Sequence, residues 1–149
     1  MIGPGTGIAP MRALLQERSY QKHHKKLPVG ENVLYFGCKG RESDYLYEEE
    51  LNKFREEGTL TRLHVAFSRE NDRKVYVQHL LAEHAKETWD LIDRQHASIY
   101  VCGGTKMGMD VTDTITKLIA EVGGKGMDGA KAYVDALRAE GRFVQELWA

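Results

Sequence analysis

The sequence predicts an α/β domain built on a parallel sheet with helices on both faces. Three observations predict it. Residues 33–37 and 99–103 are short apolar runs with the length and composition of buried strands, and residues 63–67 alternate imperfectly as a third strand. Longer stretches between them carry apolar residues at helical spacing. Strands that alternate with helices run parallel, because each helix returns the chain to the starting edge of the sheet.

The elements follow in order. Met1 and Ile2 read as the end of a truncated first strand. Gly3-Pro4-Gly5-Thr6-Gly7 is a turn, and Pro10 sits where a first helical residue belongs, since its missing N–H is not needed there. Met11, Leu14 and Leu15 then recur at helical spacing, and residues 22–26 are a basic, solvated helix end. Residues 33–37 are the second strand. Residues 47–57 are a helix with Leu51 and Phe54 on one face, closed by Gly58. Residues 63–67 are the third strand, and 76–86 and 88–95 are helical patches. Residues 99–103 are the fourth strand. Residues 111–122 form an amphipathic helix through Val111, Ile115, Leu118, Ile119 and Val122. A glycine-rich loop at 123–129 leads to a helix at 130–140 and a last strand at 143–148. The expectation is one domain, residues 1–149, on a five-stranded parallel sheet.

The bulk properties fit that expectation. A length of 149 residues suits a single core, and 42% hydrophobic with 29% charged residues is globular composition. Twenty-one Lys+Arg against 22 Asp+Glu leave a net charge of -1, which gives no electrostatic reason for a nucleic-acid or membrane-surface partner. No apolar run approaches the roughly 20 residues that span a bilayer. Cys38 and Cys102 each end a strand-like run with no secretory leader before them, which points to a reducing compartment. The histidines show no metal-ligand spacing, so no metal site is expected.

Four features carry chemistry. Gly5-Thr6-Gly7 lies between a strand end and a helix. Glycines there let backbone approach a pyrophosphate, and the helix N-terminus offers N–H groups to it. No Gly-Lys-Ser/Thr follows, and Ile8 replaces a third glycine, so the turn is neither a P-loop nor the usual dinucleotide fingerprint. An ordinary strand-to-helix connection reads the same way. Ser68, Arg69 and Lys74 follow a strand, and a hydroxyl, a guanidinium and an ammonium suit a phosphate dianion such as the 2′-phosphate that separates NADP from NAD. Tyr76 beside them could stack on adenine. A solvated loop is the alternative, since Glu70, Asp72 and Arg73 share the segment. Cys102 ends a buried strand, where a cysteine is also a small core residue. Trp148 near the chain end either plugs the sheet edge or covers a planar ligand.

Taken together, these segments resemble the NADP(H) domain of the diflavin reductases, in the ferredoxin–NADP reductase superfamily, and within that group the cytochrome P-450 reductases. The resemblance rests on Gly3-Pro4-Gly5-Thr6-Gly7-Ile8-Ala9-Pro10, on Tyr35-Phe36-Gly37-Cys38, and on Asp44-Tyr45-Leu46-Tyr47 with Glu49, Glu50 and Leu51. It continues through Ala66-Phe67-Ser68-Arg69, Lys74-Val75-Tyr76-Val77-Gln78, Tyr100-Val101-Cys102-Gly103, Gly141-Arg142-Phe143 and the penultimate Trp148.

The resemblance implies a Rossmann-like three-layer sandwich and a set of roles. Gly5, Thr6 and Gly7 would hold the pyrophosphate. Ser68, Arg69 and Lys74 would hold the 2′-phosphate, in a cofactor-binding stretch that includes Val75, Tyr76, Val77 and Gln78. Asp110 matches a further cofactor contact. Cys102 would lie beside the nicotinamide, Glu146 would steady its positive charge, and Trp148 would stack on FAD. Glu146 stands where the family has Asp, and Gly104 where it has an acidic residue.

The implied parent is an NADPH–haemoprotein reductase with FAD and FMN domains absent from this chain. NADPH would reduce FAD, and electrons would pass through FMN to a haem protein such as cytochrome P-450. The chain alone would be inactive, with the FAD domain of its parent as partner and no membrane contact of its own. The parent would be anchored to the endoplasmic reticulum, with this domain on the cytoplasmic side. A sulfite reductase or methionine synthase reductase type of parent, or an NADP(H)-binding module without redox activity, are the alternatives.

Overall fold

The computed structural model describes residues 1–149. It is α/β, with seven helices, four strands and only parallel pairing. The chain divides into two compact units, Met1–Tyr76 and Val77–Ala149.

In the first unit a single 3₁₀ turn, Gly5–Gly7, leads straight into α1, Ile8–His23. The helix starts two residues before Pro10. Pro10 is still in the first turn, where a helix has no internal partner for an N–H, so the early start costs nothing. Ile8, Met11 and Leu15 are buried along one stripe of α1. Strand β1, Val33–Cys38, is buried at every position, as expected for a parallel strand covered on both faces. Two helices follow, the short α2, Arg41–Asp44, and α3, Glu48–Glu56, which buries Leu51. Strand β2, Arg62–Phe67, pairs with β1 in register from Val33↔Arg62 to Cys38↔Phe67.

Residues 1–3 lie along β1 as well. Ile2 forms a parallel bridge with Tyr35, whose N–H donates to the Met1 carbonyl at 2.9 Å, and the Gly3 N–H donates to the Tyr35 carbonyl at 3.0 Å. This is one rung of a ladder. The Met1 ammonium also donates to the Val33 carbonyl at 2.9 Å, so the truncated first strand expected from the sequence is present as a single bridge, and the structure holds two two-stranded sheets in place of one of five strands.

Asp44, from the Asp44-Tyr45-Leu46-Tyr47 motif, organises the loop after β1. Its carboxylate accepts the N–H groups of Lys39 (2.8 Å) and Gly40 (3.2 Å) and the Ser43 hydroxyl (2.9 Å). Partial loss of hydration works against the charge, but these bonds win and hold the carboxyl below its usual range. Arg12 of α1 meets Glu50 of α3 through a forked pair at 2.6 and 3.0 Å, and its guanidinium lies over the Tyr47 ring.

The second unit holds α4, Val77–Glu83, α5, Ala85–Asp93, β3, Ile99–Gly104, α6, Thr105–Glu121, α7, Gly126–Ala139, and β4, Phe143–Trp148. Strands β3 and β4 pair from Ile99↔Phe143 to Gly104↔Trp148. The expected face of α6 is buried at Val111, Ile115, Leu118 and Ile119, whereas Val122 follows the end of the helix and is exposed. The helix begins six residues earlier than the apolar period suggested, because its first turns carry polar residues and Gly108. Likewise α7 begins at Gly126, inside the stretch expected to be a loop, where glycines mask the helical pattern. Arg142 explains the Gly141-Arg142-Phe143 motif. Gly141 takes a positive φ of 73° after α7, and the Arg142 guanidinium donates to the carbonyls of Ile92 (2.6 Å) and Ala97 (3.2 Å).

Ile119→Ala should destabilise the chain by about 2–5 kcal/mol, since the side chain is fully buried and its loss leaves a cavity. Lys117→Ala, on the exposed side of α6, should stay within about 0.5 kcal/mol of wild type. Urea unfolding of both variants checks the pair.

Candidate functional site

The chemistry-bearing residues form two groups, one in each unit.

In the first unit, parallel pairing puts the carboxyl ends of residues 1–3, β1 and β2 at one edge. The glycine turn, Lys39-Gly40 and Ser68-Arg69 all leave from that edge, where open parallel sheets bind ligands. Gly3 is required by the turn itself, for a Cβ there would come within 2.4 Å of the Gly7 carbonyl oxygen. Gly5 and Thr6 are exposed, and Gly5 takes a positive φ of 59°. A Cβ built on Gly5 meets nothing within 4 Å, so the backbone is open to close approach. No acidic side chain lies in the first turn of α1, and no side chain caps it. These features fit an anionic pyrophosphate.

Ser68 and Arg69 extend the β1–β2 ladder. Their N–H groups donate to the carbonyls of Cys38 and Lys39, each at 2.9 Å. The backbone of both residues is thereby fixed while the side chains remain available. Arg69 and Lys74 are exposed and carry no side-chain partner, whereas Arg41 at the same edge is neutralised by Glu48 at 2.6 Å. Two cations without carboxylate partners, in the same segment as a serine hydroxyl, suit a phosphate dianion. Val75 and the exposed Tyr76 follow at the end of the unit. Val77 and Gln78 open α4, at the start of the second unit.

In the second unit, the ladder brings together Cys102, Glu146 and Trp148. Cys102 is the register partner of Glu146, and Gly104 that of Trp148. Side chains alternate along a strand, so Cys102, Glu146 and Trp148 share one face at the carboxyl end of the pair. Burial pushes the Cys102 thiol above its ordinary range, and the Glu146 charge adds to the push. The thiol is therefore neutral near pH 7. A Cβ at Gly104 would meet nothing within 4 Å, so the space over this end of β3 is open. Trp148 is 46% exposed, too much for an indole that plugs an edge. Its carbonyl accepts the Thr105 hydroxyl at 3.0 Å. Asp110 stands on α6 and pairs with Lys106 at 3.0 Å.

Sequence reading missed Thr105 and Arg41. A threonine directly after Gly104 gives no sign that it will meet the chain end, and Arg41 lies in a charged stretch like any solvated loop.

Residues 1–113 match the family model described as the oxidoreductase NAD-binding domain. The whole chain aligns with proteins named NADPH--cytochrome P450 reductase. Identity over 150 aligned positions is 47% with that of Cavia porcellus, 46% with that of Salmo trutta and 45% with that of Homo sapiens. The chain spans 22% of the Cavia and human proteins and 25% of the Salmo protein.

Alkylation of Cys102 should show a pH–rate inflection above that of an ordinary thiol. Glu146→Gln removes the smaller of the two causes, so the inflection should fall but stay above the ordinary range. Peptide mass spectrometry separates this thiol from Cys38, which burial first, and then mainly Asp44 and Glu70, push up to about 11.

Proposed function

This chain belongs to the oxidoreductase NAD-binding domain family, and we propose that it is the NADP(H)-binding domain of a diflavin reductase. In the parent, hydride passes from NADPH to FAD, and electrons continue through FMN to a haem protein of the cytochrome P-450 kind. The observation that carries the proposal is the shared face of Cys102, Glu146 and Trp148 at the open carboxyl end of β3 and β4. A neutral thiol, a carboxylate and an exposed indole together suit an aromatic ring that gains positive charge as it loses hydride.

The chain's own residues supply position and electrostatics. The Glu146 carboxylate offers a negative charge where positive charge develops. The neutral Cys102 thiol adds no competing charge. Trp148 presents a flat apolar surface to the flavin side. Gly5, Thr6 and Gly7 receive the pyrophosphate, and Ser68, Arg69 and Lys74 the 2′-phosphate. Tyr76 would stack on the adenine, and Val75, Val77, Gln78 and Asp110 would be further cofactor contacts. The finer fold belongs to the same proposal: a three-layer sandwich on five parallel strands, with Ile2 in the first. So does the setting, with the parent held at the endoplasmic reticulum and this domain on its cytoplasmic side.

Calorimetry tests the cofactor. The chain should bind NADP more tightly than NAD, because charge-assisted hydrogen bonds contribute roughly 1.5–3 kcal/mol each. Arg69→Ala should narrow the difference by about tenfold or more, since ~1.4 kcal/mol is a factor of ten. Equal affinity for the two nucleotides would overturn the proposal.

In the parent, Trp148→Ala should relax the preference for NADPH over NADH. The indole must be displaced by either nicotinamide, and aromatic stacking is worth about 0.5–1.5 kcal/mol beyond burial. NADPH offsets that cost through its 2′-phosphate contacts, and NADH has none. Steady-state kcat/KM with both cofactors, beside a melting curve, is the measurement. A lowered Tm with an unchanged ratio would assign Trp148 to stability alone.

A further inference from the structure

We infer that the first two turns of α6 are a positioning device for Glu146 and Trp148, acting through the residues of β4 that alternate with them. The inference rests on the nicotinamide reading of that face.

Gln145 and Leu147 point to the side of β4 opposite Glu146 and Trp148. Both meet α6. The Gln145 amide Nε2 donates to the Thr112 hydroxyl oxygen at 3.0 Å and to the Gly108 carbonyl at 3.3 Å. The Thr112 hydroxyl donates its own proton to the same Gly108 carbonyl at 2.8 Å. Its single proton is thus committed, and a lone pair is left for Gln145. The three groups close a ring of hydrogen bonds that ties β4 to this turn of α6.

Leu147 supplies the second tie. A Cβ built on Gly108 would lie 2.5 Å from Leu147 Cδ1 and 2.7 Å from Cδ2. A Cβ there would push the Leu147 methyls aside, so the bare Gly108 is what lets this side chain seat against α6. The Thr105 hydroxyl supplies the third, at 3.0 Å from the Trp148 carbonyl. Residues 145, 147 and 148 are therefore each held by the stretch of α6 from 105 to 112. Strand ends fray unless tied down. A reacting group displaced by about 1 Å loses much of its effect, even when the cause is remote. Fixing Gln145 and Leu147 fixes the height at which Glu146 and the indole emerge on the other face.

The test has a structural and a kinetic readout. The chain has two tryptophans, so Trp89→Phe leaves Trp148 as sole reporter. In that background, time-resolved fluorescence anisotropy should show the indole losing order in Gly108→Ala and in Thr112→Val. Thr112→Ser keeps the hydroxyl and should behave as wild type. Leu147→Val withdraws the colliding methyls and should restore order to Gly108→Ala. In the parent reductase, Gly108→Ala should shift the NADPH/NADH ratio of kcat/KM toward that of Trp148→Ala, by about threefold or more, the size of one net hydrogen bond. A lowered Tm with unchanged indole order and an unchanged ratio would overturn the inference and leave the function standing. If Trp148→Ala itself leaves the ratio unchanged, the nicotinamide reading falls and the kinetic role of α6 falls with it. Unchanged anisotropy overturns the positioning independently of that reading.

Discussion

Parallel pairing of β3 with β4 is the constraint on which the chemistry of the second unit depends. Cys102 and Glu146 are 44 positions apart in sequence, and nothing local brings them together. The register does, by setting each residue of one strand opposite its partner on the other. A slip of one residue would move Glu146 and Trp148 to the far side of the strand, away from Cys102. The electrostatic consequence is already visible, since part of the upward push on the Cys102 thiol comes from the Glu146 charge.

The first unit uses the same geometry for a different purpose. Its parallel strands deliver loops, rather than strand faces, to the carboxyl edge. There the fold leaves certain groups unneutralised and neutralises others. Arg41 is committed to Glu48 and Arg12 to Glu50, while Arg69 and Lys74 extend into solvent without carboxylate partners. Exposed ion pairs add little stability, so leaving Arg69 and Lys74 unpaired costs the fold little. Their charge is available to an anion. Asp44 supports this arrangement from behind, by fixing the loop after β1 with two backbone hydrogen bonds.

Glycine makes close approaches possible at Gly3 and at Gly108. Gly3 admits the Gly7 carbonyl, which folds the turn ahead of α1, and Gly108 admits Leu147, which seats β4 on α6. In both cases the missing Cβ serves protein packing. Gly5 and Gly104 are different, since open space lies over them and their lack of a side chain keeps backbone accessible.

Sequence alone determined the elements whose signal is periodic or local. The apolar runs of β1 and β3 and the buried stripe of α6 from Val111 to Ile119 were legible because burial dictates residue type at those positions, and the glycine turn was legible because its backbone conformation favours glycine. The candidate site residues entered as segments, through order and resemblance, and in sequence Arg69 and Lys74 read equally as part of a solvated charged loop. The starts of α6 and α7 were not legible, because polar residues and glycines carry no apolar period. Only tertiary structure decided that Cys102, Glu146 and Trp148 share a face. It also decided that Thr105, Gly108 and Thr112 meet the end of β4. The physical reason is the same for each: strand register and side-chain alternation are relations between distant segments, and no single segment encodes them.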